Sequence, residues 1–156
     1  MIKKQNIFFL AFLSIVIHGC SQNRLFDEVQ KIPHTGWAAS DSKKFTVSVS
    51  DTSQAYDIFL HIRNSTSYNY SNLWLFVKTS APNGDHITDT LEFFLADPSG
   101  HWLGKGLGSI NSMLIPYKQN IRFPFRGIYT FEFQQAMRKE VLSGIMDIGL
   151  RVQPHQ

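Results

Sequence analysis

The chain has 156 residues, of which 43% are hydrophobic and 17% charged, with 15 Lys and Arg against 12 Asp and Glu. This length predicts one domain, large enough to bury a hydrophobic core. The net charge of +3 is too small for the basic surface that binds nucleic acids or anionic membranes, so the composition predicts neither interaction.

The first 20 residues have the pattern of a secretory signal. Two lysines precede an apolar run over residues 7–17, which suits a signal-peptide core and is too short to span a bilayer. The run ends in Ile17-His18-Gly19-Cys20, which resembles a bacterial lipobox, although His18 stands where a small residue is usual. We expect residues 1–19 to be a lipoprotein signal peptide that is cleaved before Cys20. The alternative is an ordinary signal peptide that ends near a free cysteine.

Cys20 is the only cysteine, and the lipobox pattern makes it the lipidation site. Lipidation leaves no thiol for a disulfide or for nucleophilic catalysis. Cleavage removes two lysines and leaves 13 basic against 12 acidic side chains, so charge does not attract the chain to a membrane. Two or more acyl chains on one residue anchor a protein stably. We therefore expect membrane attachment through the lipid on Cys20.

Residues 20–42 are polar, contain Pro33 and Gly36, and show no sustained hydrophobic period. We interpret them as a lipidated tether followed by a lead-in strand. Trp37 is the expected point where the tether first packs on the body. A β-sandwich domain is predicted to follow over residues 43–153.

From Phe45 onward, apolar and polar residues alternate with the period of two that is typical of half-buried strands. Asp97-Pro98-Ser99-Gly100 predicts a β-turn. The expected strands lie at 45–49, 57–63, 73–78, 91–95, 102–103, 113–117, 121–125, 129–133 and 145–152.

Eight or nine short strands with Gly- and Pro-containing turns predict an all-β fold. The pattern favours an antiparallel β-sandwich of the jelly-roll kind. Residues 134–142 are the one stretch that could form a short helix. A parallel sheet is excluded because no helical patterns of 10–15 residues lie between the strands.

Catalytic and metal-binding patterns are weak. The histidines after Cys20 are well separated, and neither a His-Glu-x-x-His motif nor a Gly-x-Ser-x-Gly elbow occurs. Glu92 and Glu132 lie between apolar strand residues, where a glycosidase could hold its two carboxylates, but alternation places both on the outer face of a sandwich. We predict no catalytic residue, no metal, no cofactor and no small-molecule ligand. A metal site built from distant histidines remains the alternative. These histidines are His34, His61, His86, His101 and His155.

The glycines over residues 104–108 faintly resemble a phosphate loop. They lack the lysine placement of a P-loop and a following helical pattern. Gly104 and Gly106 therefore predict a bulge or a tight corner between sheets.

Aromatic residues supply the candidates for partner or ligand contact. Tyr68 and Tyr70 lie in a polar segment between two strong strands, which predicts either a binding loop or a solvated hairpin tip. Trp102 is a further candidate, and so is Trp74, although its mid-strand position favours burial. Aromatic residues on the alternate face of aliphatic strands predict that these strands are covered on both sides or present an aromatic patch. The four are Phe59, Trp74, Phe76 and Phe94.

The ordered series of strands resembles the gliding-motility lipoprotein GldH family of Bacteroidetes. The resemblance extends from Cys20 to Gln153. It implies a non-enzymatic envelope lipoprotein that serves the gliding apparatus and the associated type IX secretion system, with other envelope proteins as partners. Only the lipidated cysteine carries over as a functional residue. The quoted segments are Cys20, residues 56–64, residues 72–77, residues 89–97 and residues 100–106.

Two functional hypotheses remain open. The first is a structural or adaptor lipoprotein of a motility or secretion machine, and the second is a lipid-anchored carbohydrate-binding module of a glycan-uptake system. Ser21-Gln22-Asn23-Arg24 lacks the acidic cluster that resembles a surface-export signal, which favours the periplasmic side. Asp89-Thr90-Leu91 resembles the Bacteroidetes acceptor for O-glycosylation, with Thr90 as the modified residue, although Thr90 at a strand start could simply face solvent.

Overall fold

A computed structural model describes residues 24–156, so the predicted signal peptide and Cys20 lie outside the described residues. This part of the chain contains ten strands and no helix. The strands are β1 Phe26–Lys31, β2 Trp37–Ala38, β3 Lys43–Val49, β4 Tyr56–Ser65, β5 Asn72–Ser80, β6 His86–Phe94, β7 Ile110–Ile121, β8 Gly127–Gln135, β9 Val141–Leu142 and β10 Ile145–Pro154.

Eight of these strands form two four-stranded antiparallel sheets. The first sheet has the order β1-β10-β4-β7 and the second sheet the order β3-β8-β5-β6, while β2 and β9 pair with each other. Without β2 and β9, the eight strands counted in chain order give sheets 1-8-3-6 and 2-7-4-5, which is the jelly-roll arrangement. The predicted all-β antiparallel sandwich is therefore confirmed.

The core lies between the two sheets and follows the alternation seen in the sequence. Every second residue of the long strands points inward, and its polar neighbours point outward. Replacing a large buried apolar side chain by alanine in such a core costs about 2–5 kcal/mol. Fully buried members contributed by five strands are Phe45, Leu60, Leu75, Phe133 and Leu150.

The fold begins before residue 43. β1 pairs with β10 over six residues, and the ring of Phe26 packs edge-on against Phe45 at 6.3 Å between centroids. Trp37 is fully buried, as expected, and its Nε1 donates to the Asp41 carbonyl at 2.7 Å. Most of the segment interpreted as tether and lead-in is therefore integrated into the sandwich.

Residues 134–142 do not form the helix that the sequence allowed. β8 continues to Gln135, whose buried side chain accepts from the Met137 N–H and donates to the Lys139 carbonyl. These bonds hold a turn, after which β9 pairs with β2. The expected strand at 121–125 is also wrong, because Ile121 ends β7 and a loop follows it.

The antiparallel register separates the loops into two groups. One end of the sandwich, called here the terminal end, carries Arg24, the loops over 50–55, 81–85 and 122–126, and the C-terminus. His155 is fixed there by its N–H bond to Ala55 and by its Nδ1 contact with Asp57 at 2.8 Å. The opposite end, called the distal end, carries the loops over 66–71 and 95–109.

Candidate functional site

Three aromatic side chains lie exposed on the outer face of the second sheet. Trp74, Phe76 and Phe94, called here the aromatic patch, are 37%, 41% and 59% exposed. Strand alternation explains their position, because the intervening Leu73 and Leu75 are fully buried. The sequence left open whether these aromatics are covered, and within residues 24–156 all three remain partly exposed, with no further layer of strands over them.

Strand pairing brings the patch together. In the β5–β6 register, Phe94 lies opposite Asn72, Glu92 opposite Trp74, and Thr90 opposite Phe76. Trp74 and Phe76 are two residues apart on one face, which corresponds to about 7 Å along the strand. The three aromatic side chains therefore share one face of β5 and β6, with polar residues opposite each of them.

Two grooves flank the patch. The larger has a volume of about 490 Å³ and lies beside Trp74, and the smaller has about 290 Å³ and lies beside Phe76. The larger groove is lined by Tyr70, Asn72, Trp74, Ala136, Met137 and Arg138. The smaller is lined by Ser42, Phe76, Lys78, Thr88, Glu132 and Gln134.

Polar side chains around the patch are held in place by hydrogen bonds. The Asn72 amide donates to Glu92, the Gln134 amide donates to the Ala39 carbonyl, and Lys44 pairs with Glu132 at 3.1 Å. An exposed aromatic centre with an ordered polar margin is typical of recognition surfaces.

Tyr68 is not a surface contact residue. It is 4% exposed and its hydroxyl donates to the Asn72 carbonyl at 2.8 Å. Burial raises the pKa of its phenol. Tyr70 and Trp102, both half-buried, pack against it with ring centroids at 5.6 and 6.4 Å. The two tyrosines of this loop therefore pack into the distal end, whereas Thr66, Ser67 and Asn69 of the same loop are exposed.

Trp74 is exposed, whereas the sequence favoured its burial. Its mid-strand position favoured burial, yet β5 has only one covered face in the described part of the chain, and Trp74 occupies the other. Phe59 lies on the first sheet, where it is half-buried beside Pro116. It therefore does not belong to the patch.

Glu92 and Glu132 face outward, as alternation predicted. Glu92 pairs with Trp74 on one side of β5, and Glu132 pairs with Lys78 on the other side. Four residues along the strand and two strand spacings place their backbones roughly 16 Å apart. Glycosidases hold their two carboxylates within about 10 Å. Here Glu92 accepts from Asn72 while Glu132 pairs with Lys44 on β3, away from β5, so the two carboxylates are not drawn together into that geometry.

The described residues contain no group of three His, Cys, Asp or Glu side chains placed to hold a metal ion. His61 Nε2 hydrogen-bonds Ser112 Oγ at 2.7 Å on the first sheet. Its Nδ1 is buried and has no partner in residues 24–156. A serine nucleophile needs a base whose second nitrogen is oriented by a third group, and this pair lacks that group.

Asp89 and Thr90 point to opposite sides of β6. Asp89 accepts from the Tyr117 hydroxyl at 2.6 Å and pairs with Lys118 at 3.2 Å, and the Tyr117 bond is the main cause that lowers the pKa of Asp89. Thr90 is exposed beside Phe76. The hydroxyl is therefore accessible, and its glycosylation stays a prediction.

The glycine-rich segment makes the expected tight corner. A Cβ on Gly106 would lie 1.8 Å from the Ile110 carbonyl oxygen, and Lys105 pairs with Ser112 in an isolated bridge. Leu107 at the tip is 94% exposed. This residue was not among the sequence predictions, although an isolated leucine between glycines was a readable signal for an exposed apolar tip.

The chain is similar in sequence to a known family of lipoproteins. The family described as GldH lipoprotein matches residues 24–152. The chain belongs to this family. It is 36% identical over 155 residues to the "Gliding motility lipoprotein GldH homolog" of Christiangramia forsetii, covering 95% of this chain and 94% of the relative. It is 31% identical over 159 residues to "Gliding motility lipoprotein GldH" of Flavobacterium johnsoniae, covering 97% of each.

The family resemblance drawn from the sequence is therefore confirmed, and with it the expectation of a membrane-anchored envelope lipoprotein. No helix among residues 24–156 is both long and apolar enough to span a bilayer. A solved α-L-arabinofuranosidase of family GH51, bound to arabinose, is similar with a TM-score of 0.38 at 11% identity. This likeness covers 85% of the present chain but 23% of that enzyme, and no argument rests on it.

Proposed function

We infer that the protein is a lipid-anchored, non-enzymatic adaptor of the gliding motility machinery and its associated type IX secretion system. The observation that carries this inference is the aromatic patch, which can bind other envelope proteins of that machinery. The chain belongs to a family whose members are named for gliding motility, which supports a role in that machinery.

The physical argument concerns exposed apolar surface. Trp74 and two phenylalanines leave large apolar areas in water on one sheet face, and contiguous patches of this kind mark interaction sites. Buried aromatic anchors also dominate the binding energy of protein interfaces. A partner that covers the patch would remove this apolar surface from water, which favours binding.

The proposed orientation faces the periplasm. Cys20 carries the lipid in this proposal, and Ser21-Gln22-Asn23-Arg24 contains no acidic residue. The aromatic patch lies on the flank of the sandwich, so it stays accessible to a partner beside an anchored molecule.

The decisive experiment combines Trp74→Ala and Phe94→Ala in a strain that lacks the native copy. The double variant should lose gliding or type IX secretion and its co-purifying envelope proteins, while circular dichroism stays unchanged. Ile128→Ala is the matched control, because Ile128 is 53% exposed at the terminal end of the same sheet. Full function of the folded double variant would refute the adaptor proposal.

A second set of variants tests the non-enzymatic part of the proposal. Alanine at any one of five polar residues should leave function intact, because none of them belongs to the hydrophobic core, although only His86 and His101 are fully exposed. Loss of function in a folded, anchored variant would instead indicate a chemical site. The five residues are His61, His86, Glu92, His101 and Glu132.

Carbohydrate binding is the second candidate, because the exposure of Trp74 places an indole beside the hydrogen-bonding groups of Asn72 and Glu92. Sugars stack on such rings. Glycan-array binding by the chain, abolished by Trp74→Ala, would favour this candidate over the adaptor. Absence of binding to any glycan would remove it.

A further inference from the structure

An apolar cavity of about 350 Å³ opens between the two sheets at the terminal end. Its inner wall contains Ile58, Phe123, Tyr129 and Phe131, which are at most 4% exposed. Small-ligand sites are mostly apolar clefts of about 300–1,000 Å³. The cavity therefore has the size and lining of a site for a narrow apolar ligand.

The mouth of the cavity is also apolar. Ile87 on β6 and Phe125 in the loop after β7 line it and are 53% and 43% exposed. Apolar side chains that frame an open cavity lower the cost of passing an apolar ligand from a lipid phase into the protein.

Arg122 supplies a cation at this mouth. Its Nε donates to the Ser53 carbonyl at 3.0 Å, and it forms no ion pair with any carboxylate of residues 24–156. The neighbouring Lys118 is already paired with Asp89 at 3.2 Å. Asp85 also lines the cavity, and its carboxylate accepts from the Asn83 amide at 2.6 Å. The terminal nitrogens of Arg122 therefore have no carboxylate partner in residues 24–156, and a guanidinium binds carboxylates and phosphates well.

The cavity lies at the end of the molecule from which the anchor extends. Leu25 N donates to the Val152 carbonyl at the β1 edge of the first sheet. The cavity lies beside β7, three strand spacings or roughly 14 Å from β1. Three residues lie between Cys20 and Arg24, so the four Cα–Cα steps place a lipid on Cys20 within roughly 14 Å of Arg24. The cavity mouth is therefore held close to the lipid surface.

We propose that this cavity binds one aliphatic chain of an acidic lipid, with the chain against Ile87 and Phe125 and the acidic head group on Arg122. The shared chemistry is an acyl chain with a carboxylate or phosphate, from a fatty acid or an acidic phospholipid. The lipid attached to the protein's own cysteine is a thioether-linked diacylglycerol without an acidic group. Arg122 therefore favours a separate lipid molecule over the anchor.

The test measures lauric acid binding by calorimetry to the non-lipidated chain over residues 21–156. All ten strands and the core lie within residues 24–156, so this form keeps the fold. One molecule per chain should bind saturably. Arg122→Gln should weaken binding roughly fivefold or more, because it removes a charge-assisted hydrogen bond. Arg126→Gln, an exposed arginine that does not line the cavity, should change nothing.

Two further comparisons complete the test. Ala81→Phe should fill the cavity and abolish binding. Should this variant fail to fold, Ile87→Lys at the mouth takes its place and should weaken binding. Dodecanol should bind without sensitivity to Arg122→Gln. Absence of saturable lauric acid binding, or binding that survives both cavity variants, would overturn the proposal. Equal loss of alcohol and acid affinity in Arg122→Gln would overturn the role of Arg122.

Lipidated protein in nanodiscs distinguishes a separate acidic lipid from the protein's own anchor as the occupant of the cavity. Mass spectrometry of the complex, released without detergent exchange, should show a bound fatty acid or a bound phosphatidylglycerol, and either result supports a separate acidic lipid. If the non-lipidated chain binds lauric acid but the lipidated protein does not, the protein's own anchor chain occupies the cavity. That outcome overturns the proposal.

Discussion

Gly149 faces His61 across the β10–β4 ladder so closely that a Cβ on Gly149 would lie 3.2 Å from the His61 Cβ. The same Cβ would lie 2.8 Å from the Val29 side chain and 2.7 Å from the Glu28 carbonyl oxygen. Because Gly149 has no side chain, Val29 of β1 and His61 of β4 can approach each other above it on the outer face of the first sheet. This closure explains why His61 is half-buried on an outer sheet face.

Gly149→Ala should destabilise the fold. The added methyl group would overlap the backbone of β1, and overpacking of this kind costs about 1–3 kcal/mol. Chemical denaturation measures the change in the free energy of unfolding. Gln153→Ala, at an outward position of the same strand, should stay within about 0.5 kcal/mol. Equal stability of the two variants would contradict the close approach.

Stability should fall as the pH drops below the ordinary pKa of histidine, and His61 should contribute to that fall. Burial lowers the pKa of His61, with a further lowering from nearby Arg151. The unfolded chain therefore binds more protons than the folded one between the lowered pKa and about 6.5. Neutral His61 thus contributes fully above about pH 6.5, and this contribution is lost as the pH falls through that window.

Thermal unfolding at about pH 7.5 and about pH 5.5 measures this effect. The midpoint should drop less between the two values in His61→Gln than in the unaltered protein. His101→Gln is the control, because that imidazole is 82% exposed. If His61→Gln leaves the pH dependence unchanged, the buried imidazole is not its source.

Substitutions at Tyr68 should act on stability. Tyr68→Ala removes a buried ring and should cost about 3–5 kcal/mol, by analogy with other large aromatic truncations. Tyr68→Phe loses only the bond to the Asn72 carbonyl, which is worth about 1 kcal/mol. Tyr70→Ala, at a half-buried neighbour, should cost less than Tyr68→Ala. A fully stable Tyr68→Ala variant would restore this residue as a surface candidate.

Cys20→Ala should abolish membrane anchoring, because Cys20 is the only thiol that can take the lipid. Membrane fractionation should find the variant released from the membrane or retained as an uncleaved precursor. Globomycin, which blocks lipoprotein signal cleavage, should change the processing of the unaltered protein only. A variant that fractionates and responds like the unaltered protein would contradict lipidation at this residue.

Thr90 should carry a glycan when the protein is made in a host that O-glycosylates its envelope proteins. Thr90 is exposed, and Asp89 precedes it as the acceptor pattern requires. Intact-protein mass should show the added sugar, and Thr90→Ala should remove it. Thr88→Ala, at the next exposed position on the same face, should not. An unmodified mass from such a host would exclude the site.

The sequence predicted β3, β4, β5, β8 and β10 well, because one apolar face leaves a clear period of two, but it found only part of β6 and β7. The strand β1 was expected only as a lead-in strand without bounds inside residues 20–42, since its residues Asp27, Glu28, Gln30 and Lys31 are polar and show no period. It is an edge strand that pairs with β10 alone, and only Phe26 reaches the core. Hydrogen bonding to a distant part of the chain decides its structure, and local composition does not show that.

The candidate site was predicted only in part. Alternation identified Trp74 and Phe76 as residues of the second face, but it could not say whether another layer covers that face. Tyr68 was misplaced for a related reason. Its polar neighbours predict a solvated loop, while its burial depends on contacts with Trp102 and Asn72, which lie outside the segment and are brought together by the fold.

The position of β1 determines how the protein carries mechanical load. If Cys20 carries the lipid as proposed, a pull on it would enter the described residues at Arg24 and run along β1, which is joined to β10 by six register pairs. Antiparallel hydrogen bonds lie perpendicular to the strands, so this force shears the whole ladder at once instead of opening it one pair at a time. If a partner binds the flank as proposed, it could pull against the membrane without separating β1 from β10 pair by pair.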